Sequence, residues 1–303
     1  MSMAGAPLLR SMLFVPGDSE RKQQKALGTA ADALILDLED SVAAAQLPAA
    51  RAQVRTLLLA TQDRSKQQLW VRVNAGAAAE EDLVAIFAGA PDGIVLPKVS
   101  SANDIVQLSH YLSALEMREG RPAGATRVVA IVTETPQGLL NLPHYFQTLA
   151  GEPEVVARLA ALTWGMEDLS AALGALGKVD ETGALTFTFQ LARSLCLTTA
   201  AALGVQAVDG IHANFRDTQA LTREVAAARR DGFSGKLAIH PDQIASINSA
   251  FTPTEQELAR ARRIVAAFAA SPDAGVLNFD GEMIDRPHLL QARRILSLAQ
   301  RAP

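Results

Sequence analysis

Two acids follow short apolar, β-branched runs. Glu134 comes directly after Val128-Val129-Ala130-Ile131-Val132-Thr133, and Asp168 closes Leu162-Thr163-Trp164-Gly165-Met166-Glu167. Carboxylates just past the ends of parallel barrel strands stand where such barrels site their chemistry. A pair of them, completed by waters and a substrate oxygen, satisfies octahedral Mg²⁺ without an all-protein cage, and Mn²⁺ accepts the same oxygen ligands. Glu134 and Asp168 are therefore the expected metal ligands.

Other residues on the same rim carry two readings each. Arg72, in Trp70-Val71-Arg72-Val73-Asn74, is either an ion-pair partner across the barrel, since buried arginine is rarely left unpaired, or a fork for a substrate carboxylate or a developing enolate. Lys98 ends Ile94-Val95-Leu96-Pro97-Lys98 and could form a Schiff base or pair with a nearby acid. A carboxylate-rich rim disfavours the desolvation a lysine nucleophile needs, so Lys98 is expected to stay charged. The acids of Asp37-Leu38-Glu39-Asp40 suit a helix N-terminus; alternatively, Glu39 or Asp40 hydrogen-bonds metal-bound water or pairs with Lys98 and Arg72. His240, before Pro241, could act as acid or base or only anchor its loop. His110, His144, His212 and His288 show no metal-ligand spacing, which leaves zinc little support. No nucleophilic-serine elbow is present.

The elements that must position these groups are legible as alternation. Eight strand candidates end at Gly, Pro, Asn or a charge: Met12–Val15, Ala33–Leu36, Leu69–Val73, Gly93–Leu96, Arg127–Thr133, Ala161–Gly165, Ala207–Ile211 and Leu237–Ile239. Between most of them lie stretches of helical periodicity, among them Glu80–Ala88, Ala102–Arg118, Thr218–Asp231 and Glu255–Ala270. That rhythm predicts an α/β fold, a (β/α)8 TIM barrel over residues 1–250. An open doubly wound sheet competes, but its phosphate-loop and dinucleotide glycine patterns are missing. Lys178–Gly183, between the sixth and seventh strands, reads as an irregular polar loop. Residues 251–303 form a C-terminal helical extension: a helix over Thr254–Ala270, a Pro/Gly-punctuated loop over Ser271–Gly281 and a helix over Pro287–Gln300, suited to a lid or an oligomer arm.

Composition narrows the class. The chain has 303 residues, 49% hydrophobic and 20% charged, which fits a folded protein with a sizeable core. A net charge of −4 gives no basic footprint for nucleic acid. The one cysteine, Cys196, lies in an apolar stretch, which excludes an intramolecular disulfide and reads as a buried structural thiol in a reducing cytosol. Met1–Arg10 lacks a basic flank followed by an apolar core, and no apolar run is long enough to span a bilayer, so a cytoplasmic protein without a membrane partner is expected.

Taken together, the segments Arg10–Asp18 (RSMLFVPGD), Asp37–Val42 (DLEDSV), Val71–Asn74, Leu96–Lys98, Glu134–Leu139 (ETPQGL), Gly165–Leu169 (GMEDL), Ile239–Pro241 and Gly281–Pro287 (GEMIDRP) resemble the citrate lyase β-subunit-like family. This is a branch of the hydroxyacid aldolase/citrate lyase superfamily that includes malyl-CoA and citramalyl-CoA lyases. The resemblance spans nearly the whole chain. It implies a barrel, a homo-oligomer (trimer or hexamer), Mg²⁺ on Glu134 and Asp168, and Arg72 on the keto-acid oxygens. It also implies cleavage or formation of a carbon–carbon bond between an acyl-CoA and a small keto acid. In CoA-dependent relatives the acid matching Asp285 reaches a neighbouring subunit's site; the local alternative is a cap for the helix starting at Pro287. Phe14, Arg21 and Lys22, just past strand one, would meet the CoA adenine and phosphates. Thr135-Pro136 and Ile211-His212-Ala213-Asn214 depart from the common family pattern, are expected near the substrate pocket, and leave the substrate open. Three alternatives remain: an aldolase acting on free hydroxy-keto acids, a citrate lyase subunit that needs an acyl carrier protein, and a thioesterase.

Overall fold

A strand that fills a barrel must be apolar on both faces, one toward the axis and one toward the helices, and the eight runs meet that demand. In the computed structural model, which describes residues 8–301, they close into a single parallel barrel in sequential order. The strands are β1 (Ser11–Pro16), β2 (Ala33–Asp37), β3 (Gln68–Arg72), β4 (Gly93–Leu96), β5 (Arg127–Ile131), β6 (Leu159–Thr163), β7 (Gln206–Asp209) and β8 (Gly235–Ala238). The Met1–Arg10 segment falls largely outside the described residues. No helix among the described residues is long and apolar enough to cross a membrane.

Alternation sorts the core into two shells. Met12, Ile35, Trp70, Val95, Val129, Val208 and Leu237 pack inside the barrel. Their sequence neighbours Leu13, Leu34, Leu36, Val71, Ile94, Val128 and Ala238 pack against the helices. Gly93 admits the Trp70 indole to the interior, because a Cβ there would lie 2.2 Å from that ring.

The helices over Ala102–Arg118, Thr218–Asp231 and Glu255–Ala270 form where periodicity placed them. Glu80–Ala88 is instead a helix over Ala78–Ile86 followed by a tight 3-10 turn. Several strands end earlier than their apolar runs. Val132-Thr133, Trp164-Gly165, Gly210-Ile211 and Ile239 leave the ladder and turn across the rim. Apolar content records burial, which continues into the rim loops after strand pairing has stopped.

The Lys178–Gly183 loop is more ordered than its composition suggests. Asp180 accepts hydrogen bonds from Thr182 and Ala184, and Val179 bridges Leu185. A larger correction concerns Ser271–Gly281. That segment contains strand β9 (Val276–Phe279), which pairs antiparallel with β10 (Glu282–Asp285). The two-residue turn between them is Asp280-Gly281, with φ of 51° and 85°, the dipeptide and left-handed geometry of a tight hairpin. This hairpin and the helices Glu255–Ala270 and Arg286–Arg301 share a small core of Ile264, Phe268, Phe279, Ile284 and Leu289. Arg229 joins Glu257 at 2.8 Å, and Arg294 donates to the Gly232 carbonyl at 2.8 Å, tying this extension to the barrel.

On the outer face of β7 and β8 lies a buried polar network. Asp209 accepts hydrogen bonds from Trp164 Nε1 at 2.7 Å, Arg193 Nε at 3.0 Å and Lys236 Nζ at 3.2 Å. Cys196 is fully buried nearby on the helix Phe187–Leu203, and burial pushes its thiol up, as a structural cysteine requires.

Candidate active site

The ends of β1 to β3 and β5 to β8 surround a cavity of about 320 Å³ at the C-terminal rim. Asp37, Arg72, Glu134 and Asp168 line it, as do Ile211, Leu237 and Ile239.

Arg72 and Asp37 are register partners on adjacent strands. Asp37 grips the guanidinium through two bonds, from Nε at 2.6 Å and Nη2 at 2.8 Å. Burial pushes the Asp37 carboxyl up, yet Arg72 outweighs this and holds it below the usual carboxylate range. Nη1 lies 2.8 Å from Glu39 and 3.3 Å from Asp40, and the Phe14 ring packs 4.8 Å from Cζ. Arg72 is therefore ion-paired, with the adjacent strand rather than across the barrel, and it also lines the cavity. Asp37, not singled out among the acids of its segment, is the residue that orients it. Its signal was the two-residue alternation Ala33, Ile35, Asp37.

Lys98 contributes two separate groups. Its φ of 50° is left-handed, a conformation that costs a non-glycine residue about 1–2 kcal/mol. From that turn its N–H donates to Glu134 Oε2 at 2.6 Å. Its ammonium bonds Glu39 and lies 3.4 Å from Asp40 and 3.5 Å from Asp168. Partial burial opposes the charge, but these carboxylates raise the lysine above its usual range. An amine whose charged form is favoured in this way is a poor start for a Schiff base.

Glu134 is almost wholly buried. Burial pushes its carboxyl up to about 8 against the Lys98 N–H, with Asp168 and Glu39 adding to the shift. Both Glu39 oxygens face cations, Oε2 the Arg72 Nη1 at 2.8 Å and Oε1 the Lys98 ammonium. A crowded, desolvated set of carboxylates is a poor arrangement for protein alone and a good one for a hard cation. No group of three His, Cys, Asp or Glu side chains in metal-holding geometry occurs among the described residues. Glu134 and Asp168, both lining the cavity, would give such a cation two carboxylates, completed by water and substrate oxygens.

Gly165 was also missed. A Cβ there would stand 2.6 Å from Glu134 Cγ and 3.0 Å from its Oε1. Gly165→Ala should therefore displace Glu134 and weaken Mn²⁺ binding by about 10–100-fold, the usual cost of disturbing a ligand's supports. Titration calorimetry checks this, and unchanged affinity would exclude the packing role.

The remaining expectations separate in space. Arg21 and Lys22 are exposed on the helix Glu20–Leu27, whereas Phe14 faces the cavity beside Arg72. Asp285 directly precedes the last helix, 2.6 Å from His288 Nδ1, and is not among the residues lining its own chain's cavity. His240 anchors its loop: its Nδ1 accepts from the Asp242 N–H, and its ring stacks on Phe215 at 4.5 Å. Of the segments that depart from the family pattern, Ile211 lines the cavity, Thr135 caps the helix Pro136–Asn141, and His212 turns to Glu224 at 2.9 Å.

A closed parallel barrel whose rim cavity combines two carboxylates suited to a hard cation with an anchored guanidinium defines a metal-dependent barrel enzyme for small oxyacids. The chain belongs to the HpcH/HpaI aldolase/citrate lyase family, whose profile matches residues 10–241. It is 36% identical over 296 residues to a (3S)-malyl-CoA thioesterase of Cereibacter sphaeroides, covering 96% of this chain and 94% of that one. It is 34% identical over 297 residues to a mitochondrial citramalyl-CoA lyase of Rattus norvegicus, covering 96% and 86% respectively. Among solved structures it resembles protein CitE of Mycobacterium tuberculosis in complex with magnesium, acetoacetate and coenzyme A. There the TM-score is 0.73 and the identity 32%, with 98% of this chain and 99% of that chain covered.

Proposed function

We propose that this protein is a Mg²⁺-dependent carbon–carbon lyase that cleaves, or forms, a 3-hydroxyacyl-CoA from an acyl-CoA and a small 2-keto acid. The observation that carries this reading is the meeting of Glu134, Asp168 and the Asp37-anchored Arg72 in one rim cavity. Glu134 and Asp168 would hold a divalent cation, which would supply Lewis-acid polarisation of substrate oxygens. Asp37 takes two guanidinium hydrogens of Arg72 and Nη1 meets Glu39 and Asp40, which leaves one Nη2 hydrogen to stabilise negative charge developing on the keto-acid oxygens. Lys98 positions Glu134 through its N–H and balances Asp168, Glu39 and Asp40 through its ammonium.

Residues 1–250 are the catalytic unit, and 251–303 an extension that offers Asp285 to the cavity of a neighbouring subunit in a homotrimer or hexamer. Asp285 there protonates the enolate carbon of the departing acyl-CoA, and removes that proton in the reverse direction. Arg21 and Lys22, exposed past β1, receive the CoA phosphates, and the cytosol is the compartment that suits the single buried thiol.

The test is mass spectrometry of products from malyl-CoA, citramalyl-CoA and citryl-CoA with Mg²⁺. Acyl-CoA plus keto acid is the expected outcome. Free CoA with an intact hydroxy acid would establish the thioesterase reading, which the Cereibacter relative's activity favours. Turnover only of free hydroxy-keto acids, or only with an acyl carrier protein, would replace the CoA lyase by the aldolase or the complex subunit. Glu134→Ala and Asp285→Ala should each be inactive alone and regain activity when mixed and reassembled. Absence of complementation would place Asp285 outside the neighbour's site.

A further inference from the structure

The hairpin of the C-terminal extension has a packed face and an open one. In its register Leu277 stands opposite Ile284, Val276 opposite Asp285 and Asn278 opposite Met283. Ile284 belongs to the extension's own core, so alternation turns Asp285 outward on the same face as the exposed Val276 and Met283.

An acid directly before a helix ordinarily caps it, accepting an N–H from the second or third helical residue. Asp217 does this for Thr218–Asp231 and Thr254 for Glu255–Ala270. At the helix Arg286–Arg301 the second residue is Pro287, which has no N–H to give. Among the described residues the Asp285 carboxylate meets a side chain instead, His288, with Oδ1 2.6 Å from Nδ1. Two lone pairs would repel at that distance, so a hydrogen lies between the two atoms. The Asp285 N–H is the longer contact to the same nitrogen, at 3.2 Å.

We infer that His288 is the positioning residue for Asp285: its Nδ1–H holds Oδ1 and leaves Oδ2 to face the substrate carbon. In the cleavage direction the Oδ2–H bond breaks as the enolate's electron pair forms the carbon–hydrogen bond, and the charge left on the carboxylate meets the imidazole hydrogen. Condensation runs the same exchange backwards, the carboxylate taking the proton from carbon. An arginine or lysine in this place would favour the ionised carboxylate alone, whereas an imidazole N–H bonds the carboxylate and also the carbonyl oxygen of the protonated acid. The inference rests on the placement of Asp285 in a neighbouring subunit's cavity proposed above.

The experiment is steady-state kinetics of the assembled, full-length protein with Mg²⁺ in both directions. His288→Leu, which keeps bulk and loses the donor, should lower kcat by about 100-fold, the scale of a catalytic group misplaced by about 1 Å. KM should stay within a few-fold, because the carboxyl exchanges a proton rather than holding the thioester. His288→Asn, whose side-chain amide donates from nearly the same place, should recover about tenfold or more of that loss. The isotope effect from deuterated acetyl-CoA in condensation should rise in His288→Leu and fall back in His288→Asn, whereas a merely structural loss lowers the rate and leaves it unmoved. Mixed and reassembled with Glu134→Ala, the leucine variant should regain activity, and with Asp285→Ala it should not. His288→Ala is the second variant without a donor, should the leucine disturb folding. Wild-type kcat in both variants that lack the donor, or a loss that asparagine does not restore and that leaves the isotope effect unmoved, would overturn the inference and leave the lyase reading standing. Wild-type kcat in Asp285→Ala would instead remove the placement of Asp285, and this inference with it.

Discussion

Glu134→Gln is expected to lower thioester cleavage by at least about 10³-fold, because several kcal/mol of charge stabilisation depend on the cation this carboxylate holds. The substitution preserves shape and an acceptor for the Lys98 N–H, so the loss isolates charge from packing. Stability should move the other way. The folded carboxyl is raised from its ordinary 4.5 to about 8, so the folded chain holds a proton that the unfolded chain has released. That contribution is complete below pH 4.5 and is lost as the pH climbs toward about 8. Metal-free wild type should therefore lose stability across that window relative to Glu134→Gln, and Mg²⁺ should remove the difference. Melting curves at several pH values with and without chelator check both parts. Full activity in the glutamine variant, or parallel pH profiles, would refute the assignment.

Asp209→Asn should be strongly destabilising although it lies outside the cavity. Asp209 and Lys236 are both buried, and removing the Asp209 charge leaves Lys236 only the half-exposed Glu224 at 3.4 Å, a loss of up to about 3–5 kcal/mol. Burial pushes the Asp209 carboxyl up, but Lys236 and Arg193, with the Trp164 hydrogen bond, hold it below the usual range. A depressed carboxyl contributes stability that is complete above its ordinary pKa and is lost as the pH falls through the folded value. Wild type should consequently weaken below about pH 4, where carboxylates ordinarily titrate, while Asp209→Asn is already weak at neutral pH and loses less on acidification. Denaturant titrations at neutral and acid pH measure this, and equal stabilities at neutral pH would show the network to be energetically idle. Because it packs under β7 and β8, a folded but loosened variant should also turn over substrate more slowly.

Much of this was legible without coordinates. Strand alternation and helical periodicity are local, since each residue's face follows from its neighbours, and they located eight strands and five of the longer helices, though not Leu47–Ala60 or Phe187–Leu203. Glu134, Asp168 and Arg72 stood out because a charge at the end of an apolar run needs a reason. The β9–β10 hairpin was passed over although Asp280-Gly281 advertises its turn, because β9 is short and mostly exposed and so lacks a buried strand's apolar run. Asp37 was hidden among three acids in four residues, and only the inward alternation of β2 separates it from Glu39 and Asp40.

The sequence by itself determined that this is a barrel with an acidic rim, and which carboxylates stand at its strand ends, because those features are written in contiguous residues. The tertiary structure alone decided how the rim groups share their partners. Asp37 meets Arg72 by strand register across 35 residues, and a left-handed turn at Lys98 sends one N–H to Glu134 while its ammonium spans three acids. Barrel closure brings β1 and β8 together from opposite ends of the barrel unit. Such pairings depend on closure and register rather than on local pattern, so they become visible only once the chain has folded.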